Sequence, residues 1–356
     1  MKFASRLFFL LFLFLGLVRC SSKFKPEQIA EISKNEEYEE AIRVQTLAPP
    51  VETTTIGTPV PPVLAEKNAA DEKKEKKKNN KKNKKETKVE PIQEAQFVDV
   101  VVDELLMRRD KLDPFKAGQT AVMNVSFSGV SAGLVELKVR PFLEVNGEKS
   151  YYFTTHARTN SLFSFFYEVD DWAETYMRYR DLAPLSLSLH VRESKQVREV
   201  RNIFDWDKKS ARYWEKKIRN GEKKVKSSSW SIPDKVQNVI SAFFYLRLFH
   251  YEVGKNIEFL VADDGKNISV VMEVVRKEKI VTEAGEFDAF LTKIKFEYNG
   301  VFKQVGDVLA WIIDDPYHHI GKVEAKLSLG TISLSLKEII NADQKIEKKE
   351  EVPKDQ

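Results

Sequence analysis

The sequence has a single cysteine, Cys20, in 356 residues, and only 14 glycines. An internal disulfide needs two thiols, so the disulfide framework of many small secreted domains is excluded. No glycine-rich phosphate loop is present, and the 5 histidines show no HxH or HExxH spacing. Gly129–Gly133 (GVSAG) matches Gly-x-Ser-x-Gly, but it lies at a turn between two alternating segments and lacks the strand-to-helix turn of a nucleophile elbow. These absences remove the common local signatures of hydrolases, nucleotide-binding enzymes and zinc peptidases. We therefore expect a non-catalytic protein without a cofactor or a metal.

One short segment still invites a metal interpretation. Asp314, Asp315, His318 and His319 place carboxylates and imidazoles within six residues. A transition-metal site needs three or four converging ligands, and adjacent side chains in a strand or tight turn point apart. We therefore expect this segment to be a polar hairpin end.

Residues 1–20 have the parts of an export signal. Lys2 and Arg6 precede the apolar run Leu7–Val18, which is too short to cross a bilayer core of ~30 Å as a helix. The segment resembles a bacterial lipoprotein signal, with Leu17 three positions before Cys20, and predicts lipidation of Cys20. Arg19 departs from the small residue that is usual before the cysteine. An ordinary signal peptide and an uncleaved short anchor therefore stay open as alternatives.

Residues 21–113 lack the pattern of a packed domain, and we predict a disordered linker. Lys25–Val44 could form a short helix with a thin apolar stripe, but it has no evident second element to pack against. Thr46–Pro62 is rich in Pro and Thr, and residues 71–88 read DEKKEKKKNNKKNKKETK. The lysine run lacks aromatic and Arg side chains, so we expect no nucleic acid as a partner. It either attracts anionic envelope polymers or serves as a solvated spacer.

From residue 114 the apolar pattern alternates with a period of two. Gly133–Arg140 alternates cleanly, and Asn146-Gly147 and Asn220-Gly221 are strong hairpin signals. Ser231–Leu248 carries apolar residues at helical spacing. We predict an all-β fold over 114–340, with a strongly curved antiparallel meander sheet of about a dozen strands and one helix on its concave side. The alternatives of an open sheet and a partly closed barrel stay open, and 341–356 is expected to be a charged flexible tail.

Five segments of this domain resemble a known family. They are Gly129–Gly133 (GVSAG), Ala157–Thr159 with Phe163–Val169, Ser241–Arg247 (SAFFYLR), Ala284–Ala289 (AGEFDA) and Trp311–Asp315 (WIIDD). In this order they are similar to exported bacterial proteins known as domain of unknown function 3108, over residues of about 115–340. The resemblance implies an envelope location and a mostly antiparallel β domain, and no established activity. The family usually has Arg or Lys in the turn that here holds His318 and His319.

The candidate ligand site is centred on an apolar stretch. Ser161–Val169 is rich in large apolar residues that do not alternate, so the stretch either folds over the mouth of the sheet or fills its core. Arg247 lies among apolar residues and should be paired, either with one of the candidates Asp170, Asp171 and Glu174 or with an anionic head group of a ligand. The predicted ligand-binding residues are Phe163, Phe166, Tyr167, Asp171, Phe243 and Arg247.

Two functions from different classes follow from these observations. The first is a tethered envelope lipoprotein that binds a lipid, a lipopolysaccharide fragment or a glycan. The second is a structural or assembly factor that docks envelope proteins without a ligand cavity; the sequence does not identify a protein partner. Ser22 is not the Asp that commonly retains lipoproteins at the inner membrane. We therefore expect the periplasmic face of the outer membrane, with a soluble periplasmic protein as the alternative.

Overall fold

A computed structural model of the chain describes residues 24, 26–47, 109, 112–298, 301–327 and 330–341. All of them belong to one compact unit. The predicted signal peptide with Cys20, the lysine-rich run and nearly all of the predicted C-terminal tail lie outside the described residues. Within the described part, no helix has the length and apolar character needed to span a membrane.

The described residues form a 15-stranded antiparallel sheet. Its first strands are β1 Val44–Thr46, β2 Thr120–Phe127, β3 Val130–Val145, β4 Glu148–Thr159, β5 Asp170–Arg178, β6 Pro184–Glu193, β7 Gln196–Asp205 and β8 Ser210–Arg219. The others are β9 Glu222–Ser231, β10 Asn256–Asp263, β11 Lys266–Thr282, β12 Gly285–Tyr298, β13 Val301–Ile313, β14 Ile320–Leu327 and β15 Gly330–Ile340.

From β2 to β9 and from β10 to β15, strands that follow one another in the sequence are neighbours in the sheet, as in a meander, whereas β1 pairs with β3. In addition β15 pairs with β2, so the strand order runs from β10 through β15 and β2 to β9. The all-β antiparallel fold is thus confirmed, and the sheet does not close by backbone pairing between β9 and β10. The hairpin turns form where they were predicted, since Asn146-Gly147 and Asn220-Gly221 all have positive φ angles.

Side chains link β9, at one edge of the sheet, to β11, the second strand from the other edge. The indole N–H of Trp230 on β9 donates to the Oδ1 of Asn267 on β11 at 3.0 Å. The amide of Asn267 in turn donates to the Ser231 carbonyl at 2.9 Å. Beneath them Ile232 and Ala262 belong to a small buried apolar cluster. The described unit is therefore barrel-like, and its seam is held by these side chains and by the two backbone hydrogen bonds between Gln237 and β10.

The helix on the concave side is shorter than predicted. It consists of α4, Ser241–Tyr245, followed by a 3-10 turn, Leu246–Leu248. Lys235 has a φ of 64° and Gln237 exchanges backbone hydrogen bonds with Leu260 and Ala262, so the preceding residues cannot be helical. Its position is as predicted, because Phe244 stacks on Phe153 of β4 with ring centroids 4.0 Å apart.

The predicted linker needs a correction at its start. Pro26–Thr46, which we call the N-terminal strap, folds into α1 (Pro26–Ser33), α2 (Glu36–Ala41) and β1, which pairs with β3. Ile32 is 1% exposed and packs against Val197 of β7 and Ile218 of β8. The outer face of the sheet is thus the surface against which the apolar stripe of this segment packs. The remaining short helix is α3, Ser161–Ser164, between β4 and β5.

Candidate functional site

An apolar cavity lies between α4 and the concave face of the sheet. Its volume is about 100 Å³, and its walls include Met123, Val135, Met272 and Phe296 from the strands and Phe243 from α4. Small-molecule pockets generally measure about 300–1,000 Å³, whereas a dry cavity of about 150 Å³ is known to hold benzene. The cavity thus has space for a few carbon atoms, which suits one end of an apolar chain.

A smaller polar recess adjoins this cavity. It measures about 20 Å³, enough for one water molecule, and its polar wall is formed by Gln119, Arg247 and His319. Phe243 and Ile320 line both spaces, so the apolar cavity and the recess are neighbours. Together they offer an apolar compartment with a polar group at one end.

His319 supplies a buried hydrogen-bond acceptor to the recess. The residue is 5% exposed, and its Nδ1 lies 2.5 Å from the Oδ2 of Asp315. Burial lowers the pKa of His319, which favours the neutral imidazole. With Nδ1–H donating to the carboxylate, Nε2 carries the lone pair, and it has no hydrogen-bond partner among the described residues.

Asp315 is held as a carboxylate beside this imidazole. Its Oδ1 also accepts the backbone N–H groups of Tyr317 at 3.0 Å and His319 at 3.2 Å. Burial acts to raise the pKa of Asp315, but the contacts with His319 and the nearby charge of Arg247 together outweigh it and keep the pKa below its ordinary value. The carboxylate fixes the orientation of the ring and its tautomer.

Arg247 crosses the recess from the 3-10 turn and is 7% exposed. Its Nε donates to the Tyr317 carbonyl at 3.1 Å, and one Nη donates to the Pro114 carbonyl at 2.7 Å and to Gln119 at 3.0 Å. These partners differ from the predicted Asp170, Asp171 and Glu174, because the 3-10 turn directs Arg247 toward β2 and the turn before β14. The expected partner of the buried Arg is thus corrected.

Tyr167 and Asp171 lie together in a separate buried cluster. The Tyr167 hydroxyl donates to Glu193 at 2.8 Å, and Asp171 accepts the Arg192 backbone N–H at 2.8 Å. Burial and the neighbouring Glu193 raise the pKa of Asp171 well above its ordinary value, and burial raises the pKa of Glu193 to about 6. The two carboxyl groups therefore hold a proton at acidic pH.

Phe163 and Phe166 are in a third place, on and just after α3. Asn160 caps this helix by accepting the Phe163 N–H at 2.9 Å. Phe166 is 61% exposed, so it neither lines the cavity nor fills the core. The six predicted residues are therefore divided, and only Phe243 and Arg247 reach the cavity and its recess.

No sequence pattern pointed to Gln119, and Asp315 and His319 were expected to belong to a polar hairpin end. Among the described residues, no group of three or more His, Cys, Asp or Glu side chains is arranged to hold a metal ion. A four-residue separation inside one tight turn does allow a carboxylate to accept from an imidazole, and this was the available signal. The burial that isolates Nε2 depends on β2 and the 3-10 turn, which are distant in sequence.

Comparison with known proteins gives a family but no activity. A family model described as "Protein of unknown function (DUF3108)" matches residues 122–337, more than half of the chain. No curated protein matches the sequence.

Several solved structures are similar at low identity. One is a β-barrel-like protein of domain of unknown function DUF1849 from Brucella abortus, at 8% identity and a TM-score of 0.41, covering 63% of this chain and 97% of that one. A second, from Bacteroides fragilis, is provisionally described as an exported protein with a YmcC-like fold. It has 9% identity and a TM-score of 0.29, and the match covers 64% of this chain and 98% of that one. A third, from Parabacteroides distasonis, is provisionally described as a lipoprotein. It has 9% identity and a TM-score of 0.26, and the match covers 64% of this chain and 97% of that one.

Proposed function

The chain belongs to the DUF3108 family, and from this premise we propose that it is an exported, lipid-anchored binding protein of the bacterial envelope. The proposed ligand is an amphiphile, a molecule with an apolar chain and a small polar group. The apolar chain of the ligand enters the cavity, and its polar group reaches the recess. The proposed location is the periplasmic face of the outer membrane.

The observation that carries the proposal is the junction of the apolar cavity with a recess that contains an unsatisfied buried acceptor. Burying a polar atom without a partner costs about 1–3 kcal/mol, so proteins rarely retain one without a bound water or ligand. A ligand hydroxyl or protonated carboxyl would donate to Nε2 of His319 while its chain stays in the apolar cavity. The same ligand would keep its polar end beside Arg247.

We propose a binding role and no catalysis. The Asp315–His319 pair resembles the base of a hydrolase, but a base needs a nucleophile to activate. The residues that line the recess carry no hydroxyl and no thiol; they are Gln119, Ala121, Leu137, Phe243, Phe244, Arg247, His319 and Ile320. The neutral imidazole is therefore assigned to ligand recognition.

Native mass spectrometry of the protein purified from its host envelope tests the proposal. We expect a bound species with the mass of an amphiphile whose apolar chain has only a few carbon atoms, such as a short-chain fatty acid. Ala310→Ile narrows the cavity, since Ala310 lines it, and is expected to remove that species. Ala289→Ile is the matched control, because Ala289 is also fully buried but belongs to a separate apolar cluster. An empty wild-type protein would contradict the proposal.

Radioactive palmitate labelling tests the anchor separately. Wild-type protein should incorporate label and Cys20→Ser should not. Equal labelling of the two would end the lipoprotein assignment without affecting the cavity.

The volume of the cavity favours a second candidate function. At about 100 Å³ it lies below the usual range of ligand pockets, as expected for a structural or assembly factor. In that case the purified protein would be empty and would instead be isolated with other envelope proteins.

A further inference from the structure

Three large apolar side chains at one end of the barrel are exposed to solvent. Leu162 is 60% exposed, Phe165 73% and Phe166 61%, and we call them the apolar turn. Phe165 and Phe166 are the two exposed aromatic residues among the side chains that the structure describes. Exposed aromatic groups at the tip of a rigid scaffold mark a contact surface, because their exposure to water is unfavourable.

The apolar turn stands next to the β6–β7 turn. The backbone N–H of Glu168 donates to the Ser194 hydroxyl at 2.8 Å, and the N–H of Ser194 donates to the Glu168 carbonyl at 3.0 Å. The β8–β9 turn follows at the same end, because β8 runs antiparallel to β7. Three strand spacings separate β5 from β8, which is roughly 15 Å.

The β8–β9 hairpin supplies positive charge at this end. Residues 216–226 contain six basic side chains and one acidic one. The Lys224 side chain is 75% exposed, and Lys223 is 42% exposed beside Glu31 of the strap. Basic residues beside exposed aromatic groups form the combination that peripheral proteins use on anionic lipid surfaces.

The N-terminal strap brings the chain toward the same end. Phe24 packs with Ile32 against Val197 and Ile218, each one residue from the β6–β7 or the β8–β9 turn. Cys20 precedes Phe24 by four residues, so an extended chain places it within about 14 Å of Phe24. A lipid on Cys20 would therefore enter the membrane beside the apolar turn.

We propose that this end of the barrel docks on an anionic lipid surface. The apolar turn inserts at the boundary of the acyl chains, and the β8–β9 hairpin contacts the head groups. The orientation rests on the lipidated Cys20 of the proposed function, whereas the surface itself does not. The domain therefore stays against its membrane, because residues 48–108 follow the strap in the sequence and do not separate Cys20 from it.

Membrane depth of a probe on the apolar turn tests the docking. Phe165→Cys is labelled with a nitroxide in the full mature chain, since the native thiol is occupied by lipid. Val281→Cys serves as the control, because Val281 is 79% exposed at the opposite end of the sheet. Both variants are reconstituted in vesicles of phosphatidylglycerol and phosphatidylethanolamine. Collisions with lipid-dissolved oxygen and with a water-soluble nickel chelate are then compared.

We expect the ratio of oxygen collisions to nickel-chelate collisions to be at least tenfold higher for the label at Phe165→Cys than for the label at Val281→Cys. The double substitution Lys223→Glu and Lys224→Glu should reduce this ratio. So should 1 M salt, which shortens the screening length of electrostatic interactions to about 3 Å. Equal nickel access at the two labels would overturn the docking. Shielding of Phe165 from both reagents would also overturn it, because a protein contact would then cover the turn. Palmitate labelling of the same preparations reports independently whether the anchor is present.

Discussion

Buried charged residues of the barrel are stabilised in two different ways. Arg247 donates to the carbonyl oxygens of Tyr317 and Pro114 and to the amide oxygen of Gln119, so neutral dipoles solvate its charge. Asp171 and Glu193 instead lie side by side, and burial disfavours ionisation of both. The first arrangement stabilises a fixed charge, and the second makes the stability of the fold depend on pH.

Replacing Arg247 tests the first arrangement. Arg247→Met removes three hydrogen bonds and leaves buried acceptors unsatisfied, so we expect the free energy of unfolding to fall by about 3 kcal/mol in urea titration. Arg158→Met is the control, because the Arg158 side chain is 50% exposed in its pair with Glu136 and should cost less than about 1 kcal/mol. Similar losses in both variants would contradict the structural role of Arg247.

Glu193→Gln tests the second arrangement. Glu193 has an ordinary pKa of 4.5 and titrates at about 6 in the folded protein, so the folded state binds more protons between these values. Stability should therefore fall as pH rises through this window, by about 2 kcal/mol for this group. Urea titrations from pH 4.5 to 7.5 should show a smaller decrease for the variant. Glu222→Gln, at an exposed position on β9, should retain the wild-type profile.

At the scale of elements, the strands that depend on local alternation of apolar residues could be predicted from the sequence. Tyr151, Phe153, Thr155 and Ala157 alternate along β4 and are all buried, so the strand could be read from its period. The N-terminal strap could not, because Ile32 meets Val197 and Ile218, and Ile42 meets Ile203, only when the sheet has formed. The recess was missed for the same reason, since Gln119 and His319 approach only in the folded chain.

Replacing Ile32 tests how the N-terminal strap is held on the sheet. Ile32→Ala leaves a void where the strap packs on β7 and β8, and such a change costs about 2–5 kcal/mol. The sheet does not depend on this contact, so we expect faster amide exchange over residues 26–46 and unchanged protection of β4 and β12. Val44→Ala is the control, because Val44 is 41% exposed in the same strap. Uniform loss of protection across the sheet would show that the strap is required for folding.

At the scale of the whole molecule, pairing of β15 with β2 joins the two ends of the meander and moves the free edges to β9 and β10. Edge strands invite pairing with other chains, and lysines oppose this. β9 carries Lys223, Lys224 and Lys226, and nearly all of its residues are exposed. The charges that we assign to membrane contact therefore also protect the open edge.

The seam between these edges should open before the rest of the barrel. Asn267→Ala removes both side-chain hydrogen bonds of Asn267 with β9, with an expected cost of about 1–2 kcal/mol. Because β9 retains a backbone ladder only with β8, its amides should exchange faster while those of β12 and β13 stay protected. Asn256→Ala, at an exposed position at the start of β10, is the control and should leave exchange unchanged. Unchanged exchange of β9 in Asn267→Ala would mean that the apolar cluster around Ile232, the Lys226–Asp264 ion pair and the backbone bonds of Gln237 hold the seam without Asn267.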